Sequence, residues 1–429
     1  MKRPAARSLP CTRLGMLAVC AVCTLLSAYA SAAVYHVDST SGDDSAPGTS
    51  EARPWKSLGK VSSSHFQPGD RILLARGRVW QEQLTIPSSG TATGPITVGS
   101  YGTGPAPLID AEGVRNRGIS VVGKSYVVLD GVAIQNSTSF SIEVFNSGNI
   151  TVSNCSIRNS GRTAISVTGL SPAARVDGCH YSQDPGFSIN GGFVNIFSPV
   201  EGATVSNNTV TGFTGRMAIS FFDVNNAQAY GNAIDGGGIG IAINACSRDL
   251  TGGQIHDNTI SNVSSGPGDD GEAIELTGHV GAPNSHCDQD KSHPFPVFTV
   301  SAEVYNNKIY GGTSTFGGID GWHAMHCRIH DNEIAHMRKY GMQWTAGSDD
   351  NEFFRNTIRD SGEAAIAIYA GSTTGSARIH NNVIEGASVG ISADSSAVVD
   401  EDYNTAGQVR NVRSVSVRAG LHTKAMANH

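Results

Sequence analysis

The chain has 429 residues, of which 51 are glycine, 16% are charged and 7% are aromatic, and its formal net charge is −7. The chain is mildly acidic, and it has no basic block and no basic residues interleaved with aromatic ones. Nucleic acid is therefore not an expected partner. The length would hold two or three ordinary domains, but the regular repeats described below favour one elongated unit.

Residues 1–33 have the pattern of a secretory signal. Basic residues crowd the start, residues 14–28 form a short apolar stretch, and Ser31-Ala32-Ala33 supplies the small side chains of a cleavage site. The apolar stretch is short for a transmembrane helix, and no later segment qualifies as one. The sequence therefore predicts an extracellular or periplasmic protein without a membrane span, with an uncleaved anchor as the alternative.

Five cysteines lie beyond the predicted signal: Cys155, Cys179, Cys246, Cys287 and Cys327. An odd number leaves at least one thiol unpaired or paired between chains. Export permits disulfides. A bond from Cys287 to either Cys246 or Cys327 on a neighbouring coil is one expectation.

The segment 34–110 lacks the later repeat and is predicted to form a cap and the first strands. Residues 55–66 have the pattern of a short amphipathic helix, which would cover the open end of an elongated core. The early strands are predicted at residues 71–74, 84–86, 95–98 and 107–110.

From residue 111 to residue 413 the chain repeats a motif in which an asparagine precedes an aliphatic residue by two positions. The clearest aliphatic residues are 24, 26, 49, 25, 24 and 26 positions apart, which is a period typical of a solenoid. Each motif is followed by a strand of alternating apolar and polar residues, so each strand buries one face. Two or three short strands per coil of about 24 residues predict an all-β, single-stranded parallel β-helix, ending in a strand and tail over 414–429. The aliphatic positions are Val210, Ile234, Ile260, Ile309, Ile334, Ile358 and Ile384.

The repeated asparagine has a structural explanation. Stacked coils place equivalent amides one inter-strand spacing apart, where they hydrogen-bond along the stack. Asparagine also tolerates the left-handed backbone conformation that the bends require. Cys155 and Cys179 occupy the same slot in two earlier coils, so they are predicted to be stacked neighbours that form either a disulfide or a buried pair.

The opening of the mature chain resembles that of known β-helix proteins. The segments that carry the resemblance are Val37-Asp38, Gly42-Asp43-Asp44, Pro54-Trp55-Lys56-Ser57-Leu58 and Pro68-Gly69-Asp70. Together with the asparagine repeat, they are similar to secreted right-handed parallel β-helix proteins of the pectate lyase-like superfamily. The resemblance implies right-handed coils and carbohydrate chemistry, but that superfamily includes lyases, hydrolases, epimerases and adhesin modules, so the reaction stays open.

Alignment of the repeated strands predicts which side chains share an outward face. Glu275, Asp320 and Gln343 fall in one outward row, provided that one coil with a long loop separates the first two. Trp322 and Tyr369 fall in the neighbouring row. Acids beside aromatic rings suit sugars, because sugar rings stack on aromatic faces while carboxylates handle protons or a cation.

A long insertion, residues 280–298, interrupts the repeat directly after the Glu275 strand. Loops of this length in compact repeats usually carry function. Lys291 in the insertion and Lys339 before a later strand are therefore predicted to bind substrate.

Two histidines lie outside the phase of the repeat and are candidate catalytic bases, namely His279 and His323. A free imidazole titrates near neutrality and can take a proton from a carbon next to a carboxylate if the intermediate is stabilised. His256, His330 and His380 fall on the repeat and are predicted to be structural.

An acidic turn precedes the Glu275 strand. Asp269, Asp270 and Glu272 bring carboxylates together, and Ca²⁺ takes several oxygen ligands of this kind. The sequence predicts a Ca²⁺ site there and no other cofactor, with a solvated acidic turn as the alternative.

Three functions are compatible with these residues. A lyase would cleave a uronate-containing polysaccharide by β-elimination, with the charge of the uronate neutralised by Ca²⁺ or cationic groups. A glycoside hydrolase would use Glu275 and Asp320 as paired carboxylates, because stacked coils place their backbones about 5 Å apart. A non-catalytic glycan-binding surface protein would use the same aromatic rows. The resemblance favours a monomeric polysaccharide lyase, with the hydrolase second, and it disfavours an epimerase because an Asp-Pro-His segment is absent.

Overall fold

The computed structural model shows a right-handed parallel β-helix. The structure describes residues 32–264, 271–279, 297–312, 314–345, 347–370 and 375–407, together with the backbone of 411–414 and 424–425. Within these ranges, no helix is long and apolar enough to cross a membrane. The described chain forms three parallel sheets of 14, 14 and 13 strands, which we call sheets A, B and C.

Each regular coil contributes one strand to each sheet, in the order A, B, C. Sheet A comprises β1 Val34–Val37, β2 Arg71–Ala75, β5 Ile96–Tyr101, β8 Ser125–Asp130, β11 Gly148–Ser153, β14 Ala174–Asp177, β17 Glu201–Ser206, β20 Asn225–Tyr230, β23 Leu250–His256, β26 Val300–Tyr305, β29 Arg328–His330, β32 Asn351–Phe354, β35 Gly375–His380 and β38 Ala397–Asp402. Sheet B comprises β3 Val79–Trp80, β6 Leu108–Asp110, β9 Ala133–Ser137, β12 Ser156–Ser160, β15 His180–Ser182, β18 Thr209–Phe213, β21 Ala233–Gly236, β24 Thr259–Ser261, β27 Lys308–Tyr310, β30 Glu333–Ala335, β33 Thr357–Arg359, β36 Val383–Glu385, β39 Thr405–Gly407 and β41 Lys424–Ala425. Sheet C comprises β4 Leu84–Thr85, β7 Arg117–Val122, β10 Phe140–Phe145, β13 Thr163–Thr168, β16 Val194–Phe197, β19 Met217–Phe222, β22 Ile239–Ala245, β25 Glu272–Gly278, β28 Gly317–Trp322, β31 Tyr340–Thr345, β34 Ala364–Tyr369, β37 Val389–Ala393 and β40 Asn411–Ser414.

The asparagine motif marks a bend and not the middle of a strand. In the coil that contains Asn307, β26 ends at Tyr305 and β27 begins at Lys308. The segment that the sequence pattern suggests as one strand is therefore two, which gives three strands per coil. The aliphatic residue after each asparagine points into the core, where Ile309, Ile334 and their equivalents pair in register and are buried.

The side chains of the repeated asparagines form a continuous ladder. Each Nδ2 donates a hydrogen bond to the Oδ1 of the next asparagine at 2.9–3.0 Å, and all of these residues are buried. The left-handed backbone conformation belongs to the preceding residue, such as Asn306 with φ 54° or Asp331 with φ 55°, and not to the ladder asparagine itself. The ladder consists of Asn208, Asn232, Asn258, Asn307, Asn332, Asn356, Asn382 and Asn404.

Cysteine occupies the ladder slot in the coils before Asn208. The backbone N–H of Cys179 donates to Asn208 Oδ1 at 2.8 Å, and both Cys155 and Cys179 are buried free thiols. Cys155 and Cys179 therefore form a buried pair of thiols and not a disulfide. Cys327 is also a free thiol, so the predicted alternative of a bond between Cys287 and Cys327 is wrong. Cys246 is disulfide-bonded, and Cys287, its predicted partner, lies outside the described residues.

The N-terminal cap contains helix α1, Leu58–Ser63, which is shorter than the predicted 55–66. The helix begins there because the Ser57 side chain accepts a backbone N–H and caps its first turn. Trp55 lies before the helix and stacks on Tyr35, with ring centroids 4.8 Å apart. Trp55 is buried in the hydrophobic core, and Tyr35 packs against that core.

The first coils lie inside the segment 34–110, which was predicted to hold the cap and the first strands. The strands expected at residues 71–110 are present, and they pair with the coils that follow them. At the other end, β40 covers Asn411–Ser414, and residues 415–418 of the predicted last strand lie outside the described residues.

The histidines on the repeat are structural, as predicted. Six rings on the outer face of sheet A stack coil upon coil, with centroids 4.6–5.3 Å apart and interplanar angles of 4–16°. Carboxylates hold the imidazoles, for example Glu303 at 3.0 Å from His330 Nε2. The stack consists of Tyr230, His256, Tyr305, His330, Phe354 and His380.

Candidate functional site

The predicted acidic row exists on the outer face of sheet C. Glu275 pairs in register with Asp320 on the next strand, and Asp320 pairs with Gln343 on the strand after that. All three side chains are partly exposed. The residues between Glu275 and Asp320 therefore form one coil, and residues 280–296 of its insertion lie outside the described part of the chain.

The accessible part of this row is short. Ala242 precedes Glu275 in the row and Ala367 follows Gln343, and both alanines have 0% exposure although they face outward. The exposed stretch that contains the acids therefore spans three coils, and the row is partly exposed again at Ser392, beyond Ala367.

A buried hydroxyl fixes the Glu275 carboxylate. Thr277 Oγ1 donates a hydrogen bond to Glu275 Oε1 at 2.6 Å, and Thr277 is itself buried. Thr277 pairs in register with Trp322, so the second predicted row is also present beside the first. A hydrogen bond donated to a carboxylate favours its ionised form.

Three rings gather at the end of the sheet C strands. Trp322 contacts His279 edge to face at 6.1 Å between centroids, and it stacks on His323 at 5.2 Å. Burial, together with the nearby His323, lowers the pKa of His279 to about 4, and burial also lowers the pKa of His323. At neutral pH both candidate bases are therefore neutral imidazoles.

Two glycines make room for His323. A Cβ on Gly278 would lie 2.7 Å from the Cβ of His323, and one on Gly347 would lie 2.1 Å from its Nδ1. Larger residues at these positions would displace the ring. The lack of a side chain at Gly278 and Gly347 therefore leaves the space that the His323 side chain occupies.

Three buried polar atoms at the site have no hydrogen-bond partner among the described residues. His279 Nε2 lies 3.3 Å from Asn244 Oδ1, which assigns the proton of the neutral ring to Nε2 and leaves Nδ1 as an open acceptor. Asn244 Nδ2 and Gln343 Oε1 are also without partners. All three atoms are buried, so they are unsatisfied polar groups directly beneath the outer face of sheet C.

The opposite end of the same strands carries a polar cluster. Lys339 Nζ lies 3.4 Å from Glu363 Oε1 and 5.0 Å from the centre of the Phe316 ring. The Tyr340 ring meets the Tyr369 ring edge to face, with centroids 6.1 Å apart. Lys339 is therefore an ion-pair partner within this cluster and lies across the sheet from Trp322.

The structure brings together most, but not all, of the predicted site. Glu275, Asp320, Gln343 and Trp322 are adjacent, with His279 and His323 at the strand ends. Tyr369 lies in the row of Trp322, two strands further on, as predicted, whereas Lys339 lies at the other end of the strands. Lys291 is outside the described residues. The contact between the Tyr340 and Tyr369 rings was not predicted, and its only signal in the sequence is a tyrosine at the start of a repeated strand.

The predicted Ca²⁺ site is not tested by the described residues. Asp269 and Asp270 fall outside them, and Glu272 is 6% exposed at the first position of β25, in register with Gly317. The ranges that the structure describes contain no group of three or more histidine, cysteine or acidic residues arranged to hold a metal ion. The site stays a prediction.

Comparison with known proteins identifies the class. Residues 35–238 match the family described as the Pel9A-like right-handed β-helix region, and residues 284–404 match the right-handed β-helix region. The chain belongs to the right-handed parallel β-helix proteins of the pectate lyase-like superfamily.

Individual relatives are similar to parts of this chain. A lacto-N-biosidase of Bifidobacterium longum is 43% identical over 91 residues, which are 20% of this chain and 6% of that protein, so the chain spans only a small part of this relative. The structure of a GH136 lacto-N-biosidase from Eubacterium ramulus has a TM-score of 0.60 at 15% identity, covering 81% of this chain and 68% of that one. The structure of PfbA, a surface adhesin of Streptococcus pneumoniae, has a TM-score of 0.52 at 12% identity, covering 83% and 86%.

Proposed function

We propose that the protein is a carbohydrate-active enzyme, and that it is a glycoside hydrolase in which Glu275 and Asp320 are the two catalytic carboxylates. The observation that carries this proposal is their pairing in register on neighbouring strands of sheet C. Strands lie about 4.8 Å apart. Carboxyl groups about 5–5.5 Å apart are typical of glycosidases that retain the configuration of the sugar.

The surroundings of the pair suggest how the roles divide. Thr277 donates to the Glu275 carboxylate, which favours the ionised form that a nucleophile requires. Asp320 would then protonate the leaving oxygen and afterwards activate the water that releases the sugar. Two carboxylates so close together repel each other, which favours one proton on the pair.

Other features support a sugar as the ligand. Trp322 lies in the row beside the acids and offers an aromatic surface. The similarity to two lacto-N-biosidases also favours glycosidic cleavage, and because it covers little of one relative and is low in identity for the other, the particular glycan is left to experiment.

A polysaccharide lyase is the second candidate. Neutral His323 and His279 beside Trp322 favour it, because a base for β-elimination must be unprotonated. Against the lyase, a cation must neutralise the carboxylate of the uronate, and Lys339 is already paired with Glu363. The lyase would need Ca²⁺ at the predicted acidic turn, or a cation such as Lys291.

One assay separates the candidates. The purified protein is incubated with neutral, N-acetylated and uronate-containing glycans, with Ca²⁺ or with a chelator, and both new reducing ends and the ultraviolet absorbance of unsaturated sugars are followed. Hydrolysis gives reducing ends without the absorbance, and elimination gives both. Glu275→Gln and Asp320→Asn should abolish hydrolysis, whereas Asp400→Asn, an exposed carboxylate on sheet A, should not. Absence of any product on every glycan would leave only a binding function.

A further inference from the structure

Tyr340 and Tyr369 approach each other over the face of sheet C. Tyr340 begins β31 and Tyr369 ends β34, and the position opposite Tyr369 in β31 is Thr345. Five residues along a strand span about 16 Å. The two ring centroids are nevertheless only 6.1 Å apart, so both side chains lean toward the middle of the strands.

Polar contacts flank the two rings. Tyr369 Oη lies 3.2 Å from Ser392 Oγ on the next strand, and Lys339, the residue before Tyr340, is paired with Glu363 at 3.4 Å. The ring pair therefore has a polar anchor on each side. We call the two tyrosines the tyrosine bar.

The tyrosine bar lies where the exposed acidic row ends. Ala367, the next residue of the row after Gln343, faces outward but is fully buried, and its strand carries Tyr369. From Glu275 to Gln343 the row spans two strand steps, about 10 Å. Gln343 presents an unpartnered Oε1 at this end.

We propose that the tyrosine bar stops the sugar chain beyond Gln343, so that the enzyme removes a unit of one or two rings from chain ends and does not cut in the interior. This inference rests on the proposed function. A groove open along the solenoid would admit a chain of any length, whereas a wall two strands from Asp320 leaves room only for a terminal unit. Tyr340 and Tyr369 are then specificity-determining residues.

Product sizes test this inference. End-labelled oligosaccharides of increasing length, prepared from whichever glycan the wild-type protein cleaves, are digested briefly and their products are sized. The wild type should release one short product from all lengths, with terminal cleavage about tenfold or more above internal cleavage. Tyr369→Ala should lower that ratio several-fold, and Tyr369→Phe, which keeps the ring, should lower it less.

The outcomes distinguish the two proposals. Cleavage of no glycan removes the proposed function and this inference with it. Early products of many sizes from the wild type overturn the tyrosine bar as a chain stop and leave the hydrolase standing. The same conclusion follows if a folded Tyr369→Ala, with a melting temperature near that of the wild type, keeps the wild-type product pattern. Tyr340→Ala is the second variant should Tyr369→Ala fail to fold.

Discussion

His279 Nε2 lies 3.3 Å from the side-chain oxygen of Asn244, and both residues are buried beside the acid pair. The contact fixes one tautomer of a ring that burial keeps neutral. It places a titratable group in the interior of the protein, and this has a consequence for stability.

Stability should fall as the pH drops from about 6.5 to about 4. The folded-state pKa of His279 is about 4, below its unfolded value near 6.5, so the unfolded chain binds the proton first. The contribution is complete above pH 6.5 and is lost toward pH 4, and it amounts to at most about 3 kcal/mol. Denaturant unfolding of the wild type and of His279→Gln at several pH values measures it. Equal pH slopes for the two proteins would contradict the assignment.

The acid pair should act as one unit. Glu275→Gln and Asp320→Asn are each expected to lower kcat by about 10²–10⁴, because each removes a proton-transfer or nucleophilic group. The double variant should be hardly slower than the slower single one. Steady-state kinetics with Asp400→Asn as the matched control gives the answer, and near-normal kcat in either single variant would remove that residue from the mechanism.

Substitution of a buried ladder asparagine should lower the free energy of unfolding, whereas substitution of the exposed residue before it should not. Asn307→Ala leaves the amide of Asn258 without its acceptor and breaks the bond to Asn332, at a cost of about 2–4 kcal/mol of unfolding free energy. Asn306→Gly is the control, since the exposed Asn306 has φ 54°, which glycine adopts without strain. Thermal and denaturant unfolding of the pair should differ clearly; similar losses in both would argue against the ladder as a main source of stability.

The three free thiols within the described residues should resist alkylation in the folded protein. Cys155, Cys179 and Cys327 are 0–1% exposed, and burial raises the pKa of Cys327 to about 12. The contact between Cys155 and Cys179 raises the pKa of Cys179, which burial raises further, and lowers that of Cys155, so Cys155 is protected by its burial alone. Reaction requires a thiolate that the reagent can reach. Mass spectrometry after iodoacetamide should show modification of these thiols only with denaturant. Rapid labelling under native conditions would show that the coils open.

Much of the fold was predictable because a solenoid is built from local repetition. The spacing of Ile309 and Ile334 fixed the coil length, and parallel stacking then aligned Glu275 with Asp320. The sequence left two or three strands per coil open, and the structure has three, since the left-handed residue before each ladder asparagine breaks one apparent strand into two. That conformation depends on the bend and is not apparent from the alternation of apolar residues.

The site was predictable only in part. Row membership follows from counting residues, so Trp322 and Gln343 were placed correctly. The contact of Tyr340 with Tyr369 was not, because two side chains that start at opposite ends of their strands meet only through their rotamers and bonding partners. Lys339 illustrates the same limit, since its pairing with Glu363 depends on side-chain direction.

The sequence by itself determined the period, the direction in which each strand side chain points and the identity of the aligned acids, because stacking converts a constant spacing in the chain into a straight row. Only the tertiary structure decided how long the exposed part of the acidic row is and which side chains lie beyond its last residue. It also decided which imidazoles are buried and neutral. These properties depend on contacts between side chains of different coils. The repeat in the sequence does not predict such contacts.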